Sequence, residues 1–157
     1  MRGVNLLLVF VCTSVFGQQW QGKEPGNETG PMSGDVYRKA IAPYVAKARA
    51  TYPTAKKRFL AGLPPKHIFY VWTTLYQAAP NGQRGRAEDV FIQVHSITGG
   101  SVYGIVANTP DFVTTYKQGD RVQFPESEVL NWVIVRPDGT EEGNFVGKFL
   151  EHWKKPQ

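Results

Sequence analysis

The sequence predicts an α+β domain: N-terminal helices, a mostly antiparallel curved sheet or half-open barrel of about five strands, and a C-terminal helix. Three observations predict it. Apolar residues recur at helical spacing between Asp35 and Leu60. From His67 onward, runs of β-branched and aromatic residues are separated by Gly, Pro and Asn-Gly turns. No link between those runs is long enough to hold a helical crossover, so neighbouring strands should run antiparallel.

The chain opens with residues that belong to no fold. Arg2 gives a positive start, Leu6–Val11 an apolar stretch continuing to Phe16, and Val15 and Gly17 the −3 and −1 positions of a cleavage site. This is the layout of a signal peptide over residues 1–17, too short to span a membrane, which needs about 20 apolar residues. Lipidation at Cys12 would want a small residue ahead of the cysteine and finds Val11 instead. Cleavage after Gly17 removes the only cysteine, which excludes a disulfide, a thiolate nucleophile and a cysteine metal site from the mature domain. The expected location is periplasmic or secreted. Residues 18–34, rich in Gly, Pro and polar side chains, read as a disordered linker.

Order is expected from Asp35 to Gln157, a single domain. Asp35 is a good N-cap for a helix to about Ala50, with Tyr37, Ile41, Tyr44, Val45 and Ala48 on one face. Pro43 should kink or split it. A second short helix should start near Pro53 and stop at Gly62 and Pro64-Pro65. Ile68–Tyr76 and Val90–Ile97 read as strands, with Gln77–Ala87 an exposed loop between them. Gly99-Gly100 marks a tight turn into a strand at Val102–Ala107. Arg121–Phe124 and Val129–Arg136 are further strands, the latter ended by the turn Pro137-Asp138-Gly139. Phe145, Val146, Phe149, Leu150 and Trp153 suit a terminal amphipathic helix.

Charge is regional. Between Asp35 and Gly62, seven basic residues (Arg38, Lys39, Lys47, Arg49, Lys56, Lys57, Arg58) face one acid, whereas nine basic and ten acidic residues follow from Leu63 onward. A positive segment favours anionic partners, although seven charges on a helix also describe a merely solvated face.

Particular residue groups carry a family resemblance. They include Thr51-Tyr52-Pro53, Arg58-Phe59-Leu60 with Gly62-Leu63-Pro64, and Glu88-Asp89-Val90-Phe91-Ile92. Further along come Tyr116-Lys117, Gly119-Asp120, Asn131-Trp132, Asp138-Gly139, Glu142-Gly143-Asn144 and Gly147-Lys148-Phe149. Over about residues 36–151 the chain resembles the bacterial YegJ-like domain-of-unknown-function family, sometimes found beside ankyrin repeats. The resemblance implies a bacterial source and a compact module, and brings no activity, cofactor or catalytic residue with it. Where the family pattern often has an aspartate before the tryptophan, this chain has Asn131.

Cofactor chemistry finds no support in the motifs. His67, His95 and His152 lack ligand spacing, so no metal site is expected. No serine sits in a nucleophile elbow, and no glycine run forms a phosphate cradle, so no cofactor is expected either. The basic residues fall on helices rather than among sheet aromatics, and export removes most nucleic acid. Glu88 and Asp89 could pair with Arg84 or Arg86. The richest constellation lies in one strand–turn–helix unit: Asn131, Trp132, Arg136, Asp138, Glu141, Glu142, Asn144 and Lys148. Turn and cap chemistry accounts for each of these without a ligand.

The leading functional expectation is a non-enzymatic, exported, monomeric interaction domain for a protein or an anionic envelope polymer. Its expected contacts are Trp132, Asn131, Asn144, Lys148, Lys56, Lys57 and Arg58. The rival is a small cell-envelope hydrolase in which Asp138, Glu141 and Glu142 supply acid/base catalysis. A third reading is a periplasmic immunity-type inhibitor.

Overall fold

The computed structural model describes residues 34–79 and 82–154. The expected signal peptide, and the linker up to residue 33, lie outside the described residues. The order is α1 (Gly34–Ala61), β1 (Ile68–Ala78), β2 (Arg84–Thr98), β3 (Ser101–Val106), β4 (Arg121–Pro125), a 3-10 turn (Glu126–Glu128), β5 (Asn131–Val135), β6 (Glu141–Gly143) and α2 (Phe145–Leu150). The α+β class is as expected, with six strands rather than about five.

The two expected N-terminal helices are one. Helix α1 runs through Pro43 and Pro53 without a break. Both prolines are on its exposed side, so the carbonyls that lose a partner face water, while Ile41, Ala48, Tyr52 and Ala55 are buried on the other. Thr51 Oγ1 adds hydrogen bonds to the carbonyls of Lys47 and Ala48 (3.0 and 3.1 Å) in the turn ahead of Pro53. The end is as expected: Gly62, at φ 93°, takes the left-handed conformation that only glycine adopts freely.

Strand pairing also shortens the expected loop Gln77–Ala87. Tyr76 pairs with Ala87 and Ala78 with Arg84, across a register shift, so β1 continues to Ala78 and β2 begins at Arg84. The Arg84 guanidinium lies 4.4 Å from the Tyr76 ring centroid and helps carry these polar residues into the ladder.

All pairings are antiparallel, in the order β4-β3-β2-β1-β5-β6. Strands β1 to β4 form a meander, after which the chain returns to place β5 beside β1. Glu126–Leu130 makes that return across four strand spacings. On a flat sheet this is about 19 Å. The connection, half of it coiled as 3-10 helix, reaches about 16 Å. The sheet therefore has to curl, and it forms an open curved sheet rather than a closed barrel.

Alternation along the strands separates two cores. Phe69, Val71 and Leu75 of β1 share one with Val90, Ile92, Val94, Val102, Phe124, Trp132 and Ile134. Tyr70 and Trp72 point the other way and join Phe91, Val133 and Val146. A bulge between Val94 and Ser96 changes the parity of β2, which keeps Ile97 in the first core. Helix α1 contributes to both: Ile41 to the second, and Ala48, Tyr52 and Ala55 to the first.

Candidate functional site

Strand β5 begins with Asn131, which is fully buried. Its Nδ2 donates to Asn144 Oδ1 at 3.0 Å, and Asn144 Nδ2 donates to Glu141 Oε2 at 2.5 Å. Asn144 is left-handed (φ 51°, ψ 44°), and its Oδ1 also accepts from the Gly147 backbone N–H, which caps α2. A side chain at Gly147 would collide with that amide, since its Cβ would sit 2.3 Å from Asn144 Oδ1. Asn131, Asn144 and Gly147 thus form one structural unit that joins β5 to α2.

Trp132, expected as a contact residue, is instead buried in the first core. Its Nε1 donates to Thr51 Oγ1 at 2.9 Å, and its ring lies where a Cβ at Gly143 would go. Asp138, exposed in the turn, accepts from the Thr140 backbone N–H and hydroxyl (2.9 and 2.7 Å), and these bonds hold its carboxyl below the usual carboxylate range. Glu141 and Glu142 oppose Val135 and Ile134, so they point to opposite faces of β6. Glu141 goes to Asn144, while Glu142 pairs with Arg58 and Arg136. The hydrogen bond from Arg58 is the main reason the Glu142 carboxyl is held low. The three acids expected to do acid/base work therefore do not converge.

The basic segment is equally engaged. Lys56 Nζ pairs with Glu126 at 2.7 Å, a carboxylate that also accepts from Tyr52. Arg49 donates to the carbonyls of Val129 and Ser127, Lys47 lies over the Phe145 ring, and Arg38 pairs with Asp89 at 2.8 Å. Lys57 is exposed and has no partner among the described residues. The helix cations mostly clamp α1 to the sheet and leave little for an outside anion. Asp89 also accepts from Tyr37 and Thr74, and Glu88 from the backbone N–H groups of Asp111, Phe112 and Val113, in place of the expected arginine pairs.

The two sheet edges differ. In β6 the bonds from Asn144 N to Trp132 O and from Arg136 N to Thr140 O place the even-numbered residues on β5. The carbonyls of Glu141 and Gly143 point outward, and Lys148 Nζ takes both, at 3.4 and 2.9 Å. Lys148 thus closes this edge rather than waiting for a ligand. In β4, Val106 N to Asp120 O and Glu126 N to Gly100 O again bond the even-numbered residues inward. The peptide groups of Arg121 and Gln123 point outward, and among the described residues nothing pairs with them.

Next to this open edge, the sheet face opposite the first core is only partly covered. Cross-strand rows there run Gln93–Ile105–Arg121 and Ser96–Tyr103–Gln123. Ile105, Tyr103 and Gln93 are half-buried, and Ser96, Arg121 and Gln123 are exposed. Arg121–Phe124 is legible as a strand from its residues alone, but its place at an edge is not, because edges follow from strand order.

Among the described residues no three His, Asp or Glu side chains converge as a metal would require, and no helix is long and apolar enough to cross a membrane. Residues 39–152 match the DUF2314 family, described as an uncharacterized protein conserved in bacteria. The chain belongs to this family. The match covers α1 from Lys39 through α2, so the DUF2314 unit and the α+β domain coincide. It does not extend to the YegJ-like label or to neighbouring ankyrin repeats. Searches of curated proteins and of solved structures each found no match.

Proposed function

We propose that the chain is an exported, non-enzymatic interaction domain that binds an extended protein segment by strand addition at β4. The observation that carries this reading is the contrast between the edges: Lys148 takes the outward carbonyls of β6, and among the described residues nothing takes those of β4. An extended peptide would satisfy the outward groups of Arg121 and Gln123 and set alternate side chains beside theirs, one strand out from Ile105 and Tyr103. The Arg121 guanidinium favours an acidic residue in that segment. The n-region, apolar run and cleavage pattern of residues 1–17 support the export part of this reading. The hydrolase reading is not carried forward, because Glu141 and Glu142 leave opposite faces of β6 and are held by Asn144, Arg58 and Arg136.

The test is selection from a random peptide display library, followed by amide shift mapping of a selected peptide on the labelled protein. Shifts centred on Arg121–Pro125 and Tyr103 are expected. Gln123→Pro removes one outward N–H at an edge position that tolerates proline, and should weaken binding at least tenfold with the fold kept. Peptides that map elsewhere, or bind Gln123→Pro unchanged, would sink the reading.

A further inference from the structure

Two buried polar atoms among the described residues lack a hydrogen-bond partner: Trp72 Nε1 and Asn131 Oδ1. Their residues are 1 % and 0 % exposed. They also stand directly opposite each other, because Trp72 on β1 is the register partner of Asn131 on β5. Directly opposed residues point to the same face of a sheet, so both side chains enter the second core. One atom can only donate and the other can only accept.

The acceptor is not a matter of which way the amide is drawn. Glu141 offers an oxygen, so Asn144 must present Nδ2 to it at 2.5 Å. Asn144 then presents Oδ1 to Asn131 and to the Gly147 N–H, which obliges Asn131 to use its Nδ2 at 3.0 Å. Asn131 Oδ1 is what remains. The half-buried carboxylate of Glu141 thereby fixes, through two amides, an acceptor at the centre of the sheet.

An unpaired polar group in an apolar core is strongly unfavourable, and native interiors meet that demand with internal water. We infer that a single buried water bridges Trp72 Nε1 and Asn131 Oδ1, accepting from the indole and donating to the amide. A neutral donor facing a neutral acceptor suits water and gives an ion no compensating charge. The surroundings supplied by Phe91, Val133 and Val146 are apolar, so the water has no exit by way of polar neighbours and should exchange slowly. The Trp72 ring is held edge-on to Phe91, with centroids 4.5 Å apart, which keeps the indole N–H from turning to another acceptor.

The experiment is a water–protein cross-relaxation measurement on the full chain, together with a crystal structure that resolves ordered water. A long-lived water contact to the Trp72 indole proton is expected, with electron density within hydrogen-bond distance of both atoms. Trp72→Phe removes the donor and leaves the Asn131–Asn144–Glu141 chain intact, so magnetic relaxation dispersion should count one fewer slowly exchanging water. Asn131→Leu should abolish the indole–water contact, but it also removes a partner of Asn144, so its amide spectrum is checked for a retained fold. A direct Trp72–Asn131 hydrogen bond, an empty gap, or an unchanged water count in Trp72→Phe would overturn the inference.

Discussion

Asn144 joins β5, β6 and α2 at one side chain. It caps α2, orients Asn131, bonds Glu141 and occupies a left-handed backbone conformation. Asn144→Ala keeps the left-handed backbone with a residue that disfavours it and leaves Asn131 unpaired in the interior. The expected loss is about 2–4 kcal/mol, read from the urea midpoint. Asn144→Gly loses the same hydrogen bonds but relieves the backbone, and should cost about 1 kcal/mol less. Equal losses in the two variants would show that the backbone conformation carries no energy here. The sequence displays Asn131, Glu141, Glu142 and Asn144 as a cluster of chemistry-bearing residue types. What it does not display is direction. Glu141 and Glu142 are neighbours in sequence and on opposite sides of β6 in space, and only the pairing with Val135 and Ile134 reveals that.

At the scale of elements, α1 departs furthest from local preference. A proline inside a helix costs up to about 3 kcal/mol against alanine, yet α1 continues through two. Burial of Ile41, Ala48, Tyr52 and Ala55, together with ion pairs at Arg38, Lys56 and Arg58, outweighs that local penalty. Pro43 is exposed, so Pro43→Ala should restore a helix hydrogen bond without disturbing the core. A gain of about 1–3 kcal/mol in urea unfolding is expected, offset in part by a more flexible unfolded chain. A destabilised Pro43→Ala would mean that the proline has a packing role of its own. Other elements hide for related reasons. Strand β6 is three residues long, too short to show alternation, and exists because β5 offers it a ladder. Residues 84–87 look like loop because they carry arginine and glycine, and only a partner strand makes them extended. The long apolar strands β1 and β2, by contrast, are legible from composition alone.

Across the whole molecule, tyrosines tie the cores to pH. Burial, reinforced by the carboxylates of Asp89 and Glu126, raises the phenols of Tyr37 and Tyr52 well above their usual value, and burial pushes Tyr70 up to about 12. Each folded pKa exceeds the unfolded value of 10.0, so the folded state binds more protons above that pH. The stability involved is fully present below pH 10 and is lost as pH rises toward and through the folded values. Part of the tyrosinate absorbance should therefore appear only together with loss of far-ultraviolet ellipticity. Complete phenol ionisation ahead of any change in ellipticity would show that these three side chains are open to solvent. The α+β class, the antiparallel pairing and the terminal helix all follow from periodicity and turn residues. The curl of the sheet does not, because it depends on how far Glu126–Leu130 must reach.

Helix α1 is made first and finds its bed last. Its partners include Trp132 and Val129 near β5, Glu142 on β6, and Phe149 of α2, which stacks on Tyr44 at 4.3 Å. A ribosome releases these only after β1 to β4, so a nascent chain of this order cannot close its fold until β5, β6 and α2 have emerged.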